Sequence, residues 1–405
     1  MAIVKAFAAL RPRPKDARSI CELPYDVMSA PEARRLAADN PLSFLRVTRP
    51  EIHFPEGTDP YRPEVYQRGR EELERLVQEG FLQRDDAPRF YVYQQTMEAH
   101  RQTGLVGLAS CEEYRQGIVR RHEFTRPDKE NDRARHIEVL EAQTGPAFLV
   151  YRADAAIDAL VTAVTARPAQ IDFVASDGIR HEGWASLETA TIGRLETAFA
   201  GVNRFYIADG HHRTAAAARV DIARGGRGGA GHFLAVIFPH DQVRILPYHR
   251  LVLDLNGHTP AGLLERVKRV GRVERADAEP APCRHALGLY LAGAWHTVWL
   301  EEALWRGATV AEGLDVALLQ RHLLGPVFGI DDPRRSDRID FVGGIHGWGE
   351  LQRRVDAGQA ACGWALFPTA MDELMAVADA GEIMPPKSTW FEPKLRDGMF
   401  THLLG

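Results

Sequence analysis

The five residues Asp209-Gly210-His211-His212-Arg213 constrain this chain more than any other stretch. They stand between an apolar run, Phe205-Tyr206-Ile207-Ala208, and an alanine-rich stretch from Thr214 to Arg219. The first pattern predicts a strand and the second the start of a helix. A strand that turns sharply into a helix leaves the N–H groups of the first turn without intrahelical partners. With the positive end of the helix dipole, those donors form an anion site. Gly210 permits a tight backbone there. Arg213 supplies a planar fork suited to phosphate or carboxylate, and the histidines add groups that titrate near neutral pH. The first expectation is therefore a phosphate-handling turn. A plainer expectation stands beside it, with Asp209 as an N-cap worth ~1 kcal/mol and the next three residues in a solvated first turn. Adjacent histidines on a helix point ~100° apart, so they lack the i, i+4 spacing of a metal-binding pair.

The surrounding pattern predicts a mixed fold. Ser29 and Glu32, with Pro31 between them, form a capping box that opens a helix, and Asn40-Pro41 ends it. A helix is expected from Pro63 to Glu79, closed by Gly80. Phe90 to Thr96 and Leu105 to Tyr114 read as paired strands around a Thr103-Gly104 turn. The segment from Arg120 to Arg133 is dense in ionisable groups, which most often marks a solvated helix start. A strand is expected at 147–151, with helices at 153–165 and 187–199. Gly225 to Gly231 lacks a P-loop pattern and reads as linker. His232 to Pro239 is a buried-type strand, so 204–239 reads as a β–α–β unit with the turn at the carboxyl end of its first strand. Further on, one or two strands are expected over 287–300, a helix over 310–324, strands at 340–344 and 363–367, and a helix over 370–380.

A chain of 405 residues, 45% hydrophobic, is long enough for two or three lobes. The expected lobes are 1–150 (α+β), 151–255 (carrying the turn) and 256–405 (α+β), interleaved into one unit. A net charge of −5 and the lack of a basic recognition helix speak against a nucleic-acid partner. Four scattered cysteines form no Cys-x-x-Cys motif and fit a reducing compartment. The N-terminus lacks a signal-peptide apolar segment, and no apolar run approaches the ~20 residues of a spanning helix. These features predict a cytoplasmic protein without membrane partners; a homodimer is compatible with them. His181-Glu182 and His346 lack zinc spacing, and no Gly-x-Ser-x-Gly elbow exists.

Six motifs, taken in order, resemble the DUF1015 family: Pro24-Tyr25-Asp26-Val27; Asn40-Pro41; Arg121-His122-Glu123-x-Thr125 with Lys129 and Asp132-Arg133; Ile207 to Arg213; Leu246-Pro247-x-His249-Arg250; and Met384-Pro385-Pro386-Lys387-Ser388-Thr389. The Asp-Gly-His-His-Arg turn is also similar to that of the free-serine kinases built on the ParB/sulfiredoxin-like fold. The resemblance implies an α+β fold: a ParB/sulfiredoxin-like core with a β–α–β unit and additional α/β elaborations. It implies nucleotide phosphates bound at the turn and phosphoryl transfer to or from a small hydroxy amino acid such as serine, in serine metabolism. Thr214 stands where other members commonly carry an aromatic residue.

Phosphoryl transfer asks a protein mainly for positioning and charge neutralisation. On that footing Gly210, His211, His212, Arg213 and Thr214 would hold an adenine nucleotide, ATP or ADP. Arg213 would neutralise the transferred group. Asp209 would either bind Mg²⁺ or cap the helix, and His212 joins Asp209 and Arg213 in the catalytic set. Glu123 is the preferred acceptor for the substrate proton, with Asp26 as the other candidate. Arg121, His122, Lys129, Arg133, Lys387, Ser388 and Thr389 would hold the small-molecule substrate. His249 and Arg250 are as well explained by packing as by binding. Two other classes compete: a ParB-like nucleotide-binding regulator without a metabolite substrate, and a metal-dependent hydrolase using Asp209 and the histidines.

Overall fold

The computed structural model describes residues 2–186, 189–279 and 283–405. Contacts group the chain into two units, Met1–Val243 with Pro393–Gly405, and Arg244–Glu392. The first two positions of the helix expected at 187–199, Leu187 and Glu188, lie outside the described residues; the described helix is Thr189–Ala200.

The first unit is a mixed α/β fold on a nine-stranded sheet. Across the sheet the strands run Val119–Arg120, Phe205–Asp209, Ala147–Tyr151, His232–Pro239, His100–Ser110, Tyr91–Met97, Arg180–Ala185 and Ile171–Val174, and Val4–Lys5 adds to His100–Ser110. Two pairings are parallel, Phe205–Asp209 with Val119–Arg120 and His232–Pro239 with Ala147–Tyr151. The central strands are apolar without alternation and buried along their length, as strands covered on both faces must be. Phe90, Leu149, Phe199, Phe205, Ile207 and Ala235 form the fully buried centre of this core. Helices Pro127–Leu140 and His211–Arg224 pack against each other.

Four local expectations need correction. Strand, helix and strand do follow one another over 205–239, but the two strands are antiparallel to each other with Ala147–Tyr151 between them. The glycine-rich connection carries a short 3-10 turn at Gly228–Gly231 before the second strand. Thr103 and Gly104 do not form a hairpin turn. They sit within His100–Ser110 opposite Gln94 and Tyr93, and the chain reverses between Met97 and His100. Gly104 is a packing glycine, since a Cβ there would come within 2.8 Å of Val236 and Phe238. Residues Cys111–Arg115 form a helix capped by Ser110 instead of prolonging the strand. Elsewhere the capping box of Ser29 and Glu32 is present on Ala30–Ala37, and the helix Pro63–Gln78 ends before Gly80.

The last segment of the chain belongs to this first unit. His402–Leu403 pairs with Ala142–Gln143, and Asp397 bridges to Glu22. That return delivers Lys394 and Asp397 to the region of the turn.

The second unit is a six-stranded antiparallel sheet, ordered Gly271–Ala276, Ala294–Leu300, Ala286–Leu291, Cys362–Ala365, Tyr248–Val252 and Ile339–Gly343. Leu287, Leu289, Val298, Phe328 and Trp364 form its core. The helix expected at 310–324 is shorter, Asp315–Leu319, prolonged by a π turn over Gln320–Leu324. Among the described residues no helix is long and apolar enough to cross a membrane.

Candidate functional site

The strand Phe205–Asp209 is nearly all buried, and the chain leaves it through Gly210 at φ 89°, ψ 29°. Only glycine takes that conformation cheaply. A Cβ here would also stand 3.2 Å from Ala147 Cα. Helix His211–Arg224 then begins. Its first intrahelical bond runs from the Thr214 N–H to the Gly210 carbonyl at 3.0 Å. The N–H groups of His211, His212 and Arg213 therefore lie ahead of the helical ladder, at the positive end of the dipole. Thr214 is buried and its hydroxyl donates to the same Gly210 carbonyl at 3.2 Å.

Asp209 is not the N-cap; Gly210 holds that position and no side chain caps the helix. The Asp209 carboxylate accepts the Gly210 N–H at 2.8 Å and the Lys394 ammonium at 3.0 Å. Burial pushes this carboxyl up, but the charges of Lys394 and Arg213 outweigh it and hold the group well below the ordinary carboxylate range.

Arg213 is held by the start of the neighbouring strand and by the N-terminal loop. Its guanidinium donates to the Pro146 carbonyl at 2.9 Å and to both oxygens of Asp26 at 2.9 and 3.1 Å. It lies over the Tyr25 ring at 5.4 Å, and Arg133 lies over the same ring at 4.0 Å. Arg133 pairs in turn with Asp132 at 2.7 Å, and the Tyr66 hydroxyl donates to Asp132 at 2.8 Å. Tyr25, Arg133, Gly145, Arg213 and Asp397 line a small cavity of about 30 Å³. Gly145 leaves room for the Asp397 carboxylate, which a Cβ would approach to 2.5 Å. Neither oxygen of Asp397 has a hydrogen-bond partner among the described residues. Burial pushes this carboxyl up to about 7, with the Arg213 charge opposing that rise.

On the other side of the turn His122 and His211 meet edge to face, ring centroids 4.6 Å apart. Burial lowers His122 to about 4 and His211 well below its ordinary value, so both rings are neutral at pH 7. Glu123 joins them, with one ligand atom from each of the three residues within 4.8 Å of the others. His212 accepts the Arg126 N–H at its Nε2, 3.0 Å away. Its proton in the neutral ring is therefore on Nδ1.

Of the other expected residues, Arg121 is exposed, and Lys129 reaches the Tyr61 hydroxyl at 3.5 Å. Lys387, Ser388 and Thr389 belong to the second unit. There the Lys387 ammonium lies 5.3 Å from the Tyr248 ring centroid. The Ser388 hydroxyl donates to the Pro385 carbonyl at 2.5 Å, closing its own turn. Arg250 is buried and donates to the carbonyls of Tyr248, Pro386 and Lys387. His249 accepts the Leu366 N–H. Both act inside the second unit's packing. Asp26, Glu123, His122 and Arg133 gather with the turn in the first unit. Lys394 and Asp397 join them without any local sequence signal, because only the return of the C-terminal segment brings them there.

The model of the family described as "Protein of unknown function (DUF1015)" matches residues 4–317, and the chain belongs to that family. No curated protein matches it. Among solved structures it is similar to a free serine kinase in complex with AMP, at 13% identity and TM-score 0.36, over 70% of this chain and 86% of that one. It is also similar to SbnI with a C-terminal truncation from Staphylococcus aureus, at 12% identity and TM-score 0.38, over 72% and 85%. A conserved hypothetical protein from Pyrococcus furiosus aligns at 13% identity and TM-score 0.35, over 73% and 94%. At scores this low the likeness assigns no residue a role.

Proposed function

We propose that the first unit is a nucleotide-dependent phosphotransferase acting on serine, phosphoserine or a similar hydroxy amino acid. The observation that carries this reading is the turn itself: helix-start N–H groups beside a guanidinium that is gripped by the Pro146 carbonyl and Asp26. Such a constellation is preorganised for the phosphate oxygens of a nucleotide. The turn likewise supports reading the core as ParB/sulfiredoxin-like.

The donor set fits an adenine nucleotide's phosphates. Gly210, His211, His212 and Arg213 supply backbone and side-chain donors, and Arg213 Nε is buried without a hydrogen-bond partner among the described residues. Lys394 adds a second cation beside Asp209. Each Asp209 oxygen already accepts one hydrogen bond, from the Gly210 N–H or from Lys394, and keeps a second lone pair through which it would hold Mg²⁺. Bound Mg²⁺ would neutralise phosphate charge. Asp26 lies against Arg213, whereas Glu123 lies in the histidine cluster. We therefore assign proton acceptance from the substrate hydroxyl to Asp26. Arg133, stacked on Tyr25, suits the substrate's carboxylate or phosphate.

The test incubates the full chain with serine, Mg²⁺ and either ATP or ADP, and follows phosphoserine by anion-exchange chromatography. The reading predicts phosphoserine from one nucleotide, cut about 100-fold or more in Asp26→Asn while nucleotide binding persists. Nucleotide binding without product from either nucleotide would instead indicate a regulatory module.

A further inference from the structure

We propose that His122, Glu123 and His211 form a binding site for one divalent transition-metal ion of the zinc class. Topology brings them together. Strands Val119–Arg120 and Phe205–Asp209 are parallel neighbours, with Phe205 opposite Val119 and Tyr206 opposite Arg120. His122 and His211 each follow by two residues the end of one of these strands. Chain leaving the same ends of adjacent parallel strands stays close, and the next residue after His122 is the carboxylate.

The three side chains are grouped closely enough to be a candidate ligand set. One ligand atom from each residue lies within 4.8 Å of the others. Both rings are buried, at 2% and 7% exposure. No described residue gives a hydrogen-bond partner to His122 Nδ1 or His211 Nε2. Leaving a buried polar atom unsatisfied costs about 1–3 kcal/mol, and here two such atoms belong to rings whose centroids lie 4.6 Å apart, grouped with a carboxylate.

Two imidazole nitrogens and one carboxylate oxygen select a borderline ion such as Zn²⁺ over Mg²⁺, which wants an all-oxygen octahedron. Metal bonds of ~2.1 Å would draw the three atoms closer, with Glu123 half-buried in a loop between the strand end and helix Pro127–Leu140. Three protein ligands leave a coordination position for water or a substrate oxygen, the mark of a catalytic-type site. This site goes beyond the phosphotransfer reading and does not rest on it.

The test titrates Zn²⁺ alone into the full chain after chelator treatment, by calorimetry, without nucleotide or substrate. A Cys283→Ser background removes the exposed thiol as a competing ligand. The expected result is one ion per chain with Kd below about 1 μM, unaffected by millimolar Mg²⁺. His122→Ala and His211→Ala should each weaken it about 100-fold or more, with folding checked by circular dichroism. Cobalt substitution should give visible bands of a nitrogen–oxygen site. Failure of the folded parent protein to bind Zn²⁺ stoichiometrically overturns the proposal, as does unchanged affinity in a folded histidine variant. Phosphotransfer could fail with this site intact, or succeed without it, so the two readings are separable.

Discussion

Helix His211–Arg224 is bracketed by two left-handed glycines, and replacing each with alanine separates a conformational cost from a steric one. Gly225 sits at φ 59°, ψ 40°, and an alanine methyl there would meet nothing within 4 Å. Gly225→Ala should cost only the left-handed penalty, about 1 kcal/mol. Gly210 sits at φ 89°, ψ 29°, and its Cβ would stand 3.2 Å from Ala147 Cα. Ala147 begins a buried central strand paired to His232–Pro239, so its backbone yields poorly. Overpacking of that kind adds roughly 1–3 kcal/mol, and Gly210→Ala should cost about 2–4 kcal/mol in all. Hydrogen exchange followed by mass spectrometry on peptides spanning 205–224 reads this locally, without assuming that the two units unfold together. The helix-start amides should lose more protection in Gly210→Ala than those at the other end lose in Gly225→Ala. Equal losses would refute the claim that the turn is pressed against the neighbouring strand.

Two further outcomes follow from the charges around the turn. Asp397 is raised to about 7 in the folded chain against an unfolded value near ~3.9. The folded state therefore binds the extra proton, and the stability this contributes is full below about pH 4 and lost as pH rises through about 7. Asp397→Asn should gain on the parent protein by on the order of 2–4 kcal/mol between pH 4 and pH 8 in urea unfolding; a pH-independent difference would contradict the burial of that carboxylate. Asp209→Asn and Lys394→Met, combined in a double-mutant cycle, should show a coupling of about 1–2 kcal/mol, since both partners are only partly exposed; additive effects would mean that the pair contributes nothing.

Where local chemistry decides structure, the chain was legible. The apolar run at 205–208, the glycine and the alanine-rich stretch predict strand, turn and helix, and those elements form. So do the capping box at Ser29 and the buried strands 147–151 and 232–239. Strand direction was not legible, because periodicity carries no information on pairing, and the strands flanking the helix run antiparallel. Gly104 misled because a glycine required by tight packing against Phe238 looks the same in sequence as a turn glycine. At the site, Asp26 and Glu123 were visible as carboxylates in polar motifs. The partnership of Asp209 with Lys394, and the buried Asp397 beside Arg213, were not visible. They depend on contacts about 185 residues apart made by the returning C-terminal segment.

Phosphorus NMR on phosphoserine with Mg²⁺ and each adenine nucleotide in turn, run beside Arg213→Ala, tests the central claim most directly. The account predicts that phosphate leaves phosphoserine and appears on one nucleotide, and that Arg213→Ala abolishes the transfer. Free phosphate released without nucleotide, or transfer that survives in the variant, would contradict it.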